Sequence, residues 1–185
     1  MKNMKNLKLL SIFIIISGII ISCSSPKEKS LKNIKTLEEN LFADNIENFD
    51  MKKAEELLNA YTDFAKSFPD DENSDEYLFK AADISMNIGQ YKKSIELLDK
   101  LITNYPDFEK IPECMHLRGF IYEDKLDNLG KAETSYRELI EKYPEHILAE
   151  NAKACIENLG IPAEELIRRW EAKNDSTLTD TIGDF

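Results

Sequence analysis

The chain has 185 residues and a formal net charge of −11, with 35 Asp and Glu against 24 Lys and Arg. That balance excludes affinity built on neutralising phosphates, so nucleic acid is not an expected partner. The length suits one domain, and an apolar content of 42% is enough to build its core.

Residues 1–22, MKNMKNLKLLSIFIIISGIIIS, place Lys2, Lys5 and Lys8 ahead of an apolar run from Leu9 to Ile21. A basic start, an apolar middle and a small residue before the cleavage point read as a secretory signal peptide. The run is short for a bilayer span of ~20 residues. Ile20-Ile21-Ser22-Cys23 resembles a bacterial lipobox, which implies lipidation of the Cys23 thiol and a new N-terminus there. Two or more acyl chains anchor stably, each buried methylene contributing about 0.8 kcal/mol. Losing three lysines and no acid takes the formal charge from −11 to −14. Attachment to anionic lipid is then expected to rest on the acyl group, not on a basic face.

Residues 23–30 read as a lipidated tether. From there Leu31, Ile34, Leu37, Leu41 and Phe42 follow helical spacing, the degenerate first half of a first unit that caps the N-terminal end of a stack. Asp44–Asp50 is acidic and Asn-rich, hence a loop. Residues 51–68 form the next helix, and 69–74 connect it onward with N-cap candidates at the end. In Asp75–Pro106 the apolar residues Leu78, Ala81, Ala82 and Ile88, then Ile95, Leu98, Leu101 and Ile102, repeat every three or four positions around a turn at Gly89-Gln90-Tyr91. This is a helical hairpin, and Pro106, lacking an N–H, ends it. A third hairpin runs to Pro144. Leu148, Ala149, Ala152, Cys155, Ile156 and Leu159 then share one face of a helix stopped by Gly160. Pro162 opens a last helix whose Leu166, Ile167 and Trp170 are expected to seal the final groove. Residues 172–185 show no helical period, end acidic and are expected to be disordered; two short runs there, Asp175-Ser176-Thr177 and Asp180-Thr181-Ile182, resemble an acceptor pattern for periplasmic O-glycosylation.

The hairpins close on Phe68-Pro69, Tyr105-Pro106 and Tyr143-Pro144, with prolines 37 and 38 residues apart. Such a period marks a helical solenoid, in which no unit can bury its apolar face alone. Gly89, Tyr91, Ser94, Leu98, Leu101 and Pro106 in the second unit resemble the tetratricopeptide repeat. So do Gly119, Tyr122, Ala132, Tyr136, Leu139 and Pro144 in the third, with one extra residue within Asp124–Lys131. The resemblance implies an all-α, right-handed α-solenoid of about three helical hairpins plus C-terminal capping helices, over residues 31–171.

Enzyme signatures are missing. His116 and His146 form no metal-type pair, and the sequence holds no C-x-x-C, P-loop, G-x-S-x-G or H-E-x-x-H. No cofactor, metal or small-molecule substrate is inferred. Cys114 and Cys155 read as two separate small core residues, with a bond left open.

Repeats of this family present a concave face built from first helices, which commonly grips an extended peptide or a partner's helix. Carried over, that face would hold Glu76, Phe79, Asp83, Met86 and Asn87 from the second unit. The third would add Glu113, His116, Phe120, Glu123 and Asp124. As a groove it would be acidic with aromatic floor points, suited to a basic or amphipathic protein segment. Alternatively Phe79 and Phe120 pack between helices while the acids solvate the outside. With the lipobox, the chain resembles tetratricopeptide-repeat outer-membrane lipoproteins. It is similar to the repeat region of the envelope-constriction coordinator and to the lipoprotein scaffold of the β-barrel assembly machinery. That implies a non-enzymatic adaptor on the periplasmic face of the outer membrane. A surface-displayed binder of peptide or glycan, or an envelope enzyme with an unrecognised carboxylate pair, are the other readings.

Overall fold

The computed structural model describes residues 25–43 and 50–182. The signal segment 1–22, Cys23 and nearly all of the loop expected at 44–50 lie outside the described residues. Among the described residues the chain forms eight α-helices and no strand, an all-α solenoid of stacked helical hairpins. Helices α1 (Pro26–Phe42) and α2 (Met51–Ser67) make the first hairpin, α3 (Ser74–Asn87) and α4 (Tyr91–Asn104) the second. Helices α5 (Ile111–Phe120) and α6 (Leu129–Lys142) make the third, followed by α7 (Ile147–Asn158) and α8 (Ala163–Ile182). Each helix from α1 to α6 packs on the next. No helix among the described residues is long and apolar enough to cross a membrane.

The start of α1 corrects the expected tether. Ser25 Oγ accepts from the Glu28 N–H at 3.1 Å while the Glu28 carboxylate accepts from the Ser25 N–H at 2.8 Å, with Pro26 in the first turn. This reciprocal cap satisfies two otherwise orphaned donors, so the polar stretch is helical from Pro26. Asp50 caps α2 by accepting from the N–H groups of Lys52 and Lys53. At the next junction Asn73 caps nothing with its side chain; Ser74 instead donates to the Phe68 carbonyl at 2.6 Å.

The aromatic-proline corners are nearly superposable. Phe68, Tyr105 and Tyr143 have φ of −134°, −130° and −134° with ψ of 60°, 56° and 57°, and each donates its N–H to the carbonyl four residues back. The following proline excludes the helical region for these residues, so the chain leaves every second helix at one angle. The Tyr105 hydroxyl donates to the Pro69 carbonyl at 3.0 Å and ties one corner to the next.

Between corners the core is continuous. Tyr77 of α3 stacks on Tyr61 of α2 at 5.1 Å and meets Phe64 edge-on at 5.0 Å. Leu57, Leu78, Leu98, Leu101, Met115, Ile121 and Leu139 are fully buried. Within the second hairpin, buried Ser94 donates to the Ala82 carbonyl at 2.7 Å, which lets α4 approach α3 closely. Gly89 makes the turn with φ +77°.

The extra residue of the third hairpin is absorbed earlier than the expected Asp124–Lys131. Residues Ile121–Lys125 form a π-helical turn at the end of α5, with the Leu126 N–H bonded to the Ile121 carbonyl five residues back. Widening one turn takes up a residue without moving the helices on either side. Arg118 fastens this hairpin to the one before it. Its guanidinium reaches Asp99 of α4 at 2.7 Å, Glu138 of α6 at 2.5 Å and Ser135 Oγ at 3.1 Å.

At the C-terminal end Gly160, with φ +75°, stops α7 as expected. Two expectations fail beyond it. Helix α8 leaves the stack, with Ile167 and Trp170 57% and 66% exposed, so they seal nothing. The helix also runs through to Ile182 where a disordered tail was expected, because no Gly or Pro interrupts residues 163–182. Cys114 is buried, Cys155 is half-buried, and both are free. Burial first of all pushes the Cys114 thiol up to about 12, leaving it protonated and inert.

Candidate interaction face

The first helices of the hairpins, α1, α3 and α5, present the face on which the candidate residues fall. Consecutive helices on it are joined by ion pairs between units. Lys80 of α3 reaches Glu38 of α1 at 2.9 Å, and Lys110, just ahead of α5, reaches Glu76 of α3 at 2.6 Å. Each ammonium also lies over aromatic rings. Lys80 sits 5.7 and 5.8 Å from the Tyr61 and Tyr77 centroids, and Lys110 sits 5.2 and 5.9 Å from those of Phe79 and Phe108. A carboxylate below and ring faces beside a lysine make a cation cradle in which each part holds the others in place.

Glu38 is the hub of the first cradle, accepting from Lys80 and, at 2.6 Å, from the Tyr61 hydroxyl. Burial alone would raise its carboxyl pKa, but the Tyr61 hydrogen bond and the Lys80 charge overcome it and leave the group below its ordinary value. Tyr61 is pushed up, by burial first and then by donating to a carboxylate.

Glu76 and Phe79 therefore converge on Lys110, with Phe79 edge-on to Phe108 at 6.0 Å. Asp83 is exposed and accepts from the Asn87 amide at 3.3 Å; burial of its carboxyl raises its pKa, against the pull of that amide. Met86 is half-buried on the core. In α5 and its π turn, Glu123 accepts from the buried Tyr136 hydroxyl at 2.7 Å, and His116 lies against the same ring at 5.6 Å between centroids. Asp124 pairs with Lys125, whose ammonium covers Phe120 at 5.5 Å. Among the described residues, Glu113 Oε2 and His116 Nε2 are buried atoms without a hydrogen-bond partner.

The face is thus less acidic than its carboxylates alone imply, because lysines already occupy the aromatic points. Phe79 and Phe120 are both half-buried, packed on the core from one side and covered by a cation. Lys80, Lys110 and Arg118 were not among the sequence candidates. Lys80 and Lys110 could have been found by asking which cation lies one first helix along from Glu38 and from Glu76. Arg118 stands where the second unit has buried Ala81, 37 residues earlier, and a charge at a buried register position is itself a signal.

A regular stack of helical hairpins with one face of first helices defines an α-solenoid. The tetratricopeptide repeat family model matches residues 76–107 and 113–146, the second and third hairpins. Comparison with curated proteins and with solved structures returned no match. Tetratricopeptide repeats are generally protein–protein interaction modules and typically serve in non-enzymatic scaffolds.

Proposed function

We propose that this chain is a non-enzymatic adaptor that holds a basic or amphipathic segment of a protein partner on the face of α1, α3 and α5. Its anchor is lipid at Cys23, on the periplasmic side of the outer membrane, in envelope or outer-membrane protein assembly. The observation that carries the binding role is the face itself. Half-buried Phe79 and Phe120 alternate along it with the exposed carboxylate Asp83 and the orphaned acceptor of Glu113, on a scaffold of rigid paired helices. The basic leader and the lipobox-like Ile20-Ile21-Ser22-Cys23 support the anchor.

A photoreactive residue at position 79 or 120, activated in intact membranes and followed by mass spectrometry, tests the reading. A specific protein should be captured from both positions, and Phe79→Ala and Phe120→Ala should weaken capture by more than their partial loss of core packing lowers the unfolding midpoint. Capture of nothing above background, or loss of stability in step with loss of capture, refutes it.

A further inference from the structure

Glu76 and Glu113 stand 37 residues apart, each in the first turn of its hairpin's first helix. Around Glu76 the structure shows a complete cradle: Lys110 donates to the carboxylate at 2.6 Å and lies over Phe79 and Phe108. One unit further along, the same register gives His116 for Phe79 at 37 residues. Across the closing prolines, 38 residues apart, it gives His146 for Phe108 and Leu148 for Lys110. The carboxylate is retained, imidazoles replace the phenyl rings, and the lysine is gone.

The structural consequence is visible. Glu113 Oε2 and His116 Nε2 are two of the three buried side-chain polar atoms without a partner among the described residues. Buried polar atoms are nearly always paired, so two orphans at one repeat position point to a donor from outside the chain. Among the described residues no three His, Cys, Asp or Glu side chains are placed to hold a metal ion, and the equivalent site holds an ammonium.

We propose that Glu113 and His116 form a receptor for a primary ammonium, a lysine side chain of the docked partner segment. This rests on the reading of the face as a docking surface for a basic segment. The ammonium has three donors: one meets the Glu113 carboxylate and one the neutral imidazole of His116. Burial disfavours the charged form of His116, so the ring is ready to accept rather than to repel. Leu148 is the side chain that yields. It is half-buried at the start of α7, and α8 does not return to pack on that helix.

The experiment follows the ring resonances of His116 by NMR in histidine-labelled protein titrated with N-acetyl-lysine methylamide, and with N-acetyl-norleucine methylamide as the uncharged control. The lysine probe should shift His116 saturably and the norleucine probe should not. Glu113→Gln should abolish the shift. Leu148→Lys, which restores the arrangement around Glu76, should abolish it too while raising the melting temperature. An equal response to both probes, or an undiminished response in either variant, overturns the site. A silent His116 in a protein that captures a partner from positions 79 and 120 sinks the ammonium site alone. A saturable response in a protein that captures nothing sinks the adaptor reading alone.

Discussion

The ring of Tyr136 lies against the bare Cα of Gly119, so that a Cβ placed there would come within 2.5, 2.7 and 2.9 Å of three ring carbons. In the second hairpin the same two positions hold Ala82 and Leu98, both fully buried. The two hairpins thus solve one packing problem by opposite allocation of volume, a large ring on glycine or a smaller side chain on alanine.

Gly119→Ala is therefore expected to destabilise the protein, by about 1–3 kcal/mol for overpacking less roughly 1 kcal/mol of intrinsic helix preference. In a Tyr136→Leu background, which copies the second hairpin, the same substitution should become neutral or favourable. Urea midpoints for the four proteins of this cycle measure the coupling directly. Additive costs would show that α5 and α6 separate freely.

Arg118 joins three helices with a side chain only 12% exposed, while its acceptors Asp99 and Glu138 are 49% and 41% exposed. Burial works against its charge, but the hydrogen bonds to Asp99 and Glu138 more than compensate and hold the guanidinium pKa above its ordinary value. Arg118→Met leaves two carboxylates that water can reach, so the expected loss is at the lower end for such a network, about 1–2 kcal/mol. Arg118→Lys should recover less than half of it, because an ammonium cannot span Asp99, Ser135 and Glu138 from one planar fork. Denaturant unfolding at low and high salt checks both, with little salt dependence expected of so enclosed a cation.

His116 sets a pH dependence whose sign is fixed by its surroundings. Burial lowers its pKa, and the Glu123 charge only partly offsets this. The folded pKa thus lies below the unfolded value of about 6.5, and between the two the unfolded chain binds a proton that the folded chain does not. Stability present above about pH 6.5 is then lost progressively on acidification through that window. Asp83, with its pKa raised, acts in the opposite direction and only in the carboxylate range. Unfolding midpoints measured at successive pH values should show this slope in the wild type and lose it in His116→Gln; an unchanged slope would mean that the imidazole is hydrated.

Much of the stack was legible because its signals are local. Apolar spacing, Gly89, Gly160 and the three aromatic-proline pairs each act within a turn or two, and the helices end where those residues require. The capping box was equally legible in Ser25-Pro26-Lys27-Glu28 but was masked by the polar composition around it. The ten face residues were placed by register alone. What register could not reveal is that Lys110 folds back on Glu76 and Phe79, or that Arg118 gathers Asp99 and Glu138. Those pairings depend on how one hairpin leans on the next. The π turn was half legible, since the count shows one residue too many but not which turn widens to hold it. Leu166, Ile167 and Trp170 misled because a narrow apolar stripe shows that a helix can dock, not that it does.

Helix α8 stands apart from the stack. It begins after Gly160 at φ +75° and Pro162, and it carries the chain's sole tryptophan at 66% exposure. A helix that buries so little contributes little hydrophobic stabilisation, since burial scales with area removed from water. A chain shortened to end at Gly160 should keep the helical melting curve of the full protein within a degree or two. Trp170 should emit as a hydrated indole, be quenched freely by iodide, and change little as circular dichroism reports global unfolding. Blue-shifted emission that turns red at the unfolding midpoint would mean instead that Trp170 is docked and that α8 closes the stack. In that case the shortened chain should also melt well below the full one, because the exposed side of α7 would have lost its cover.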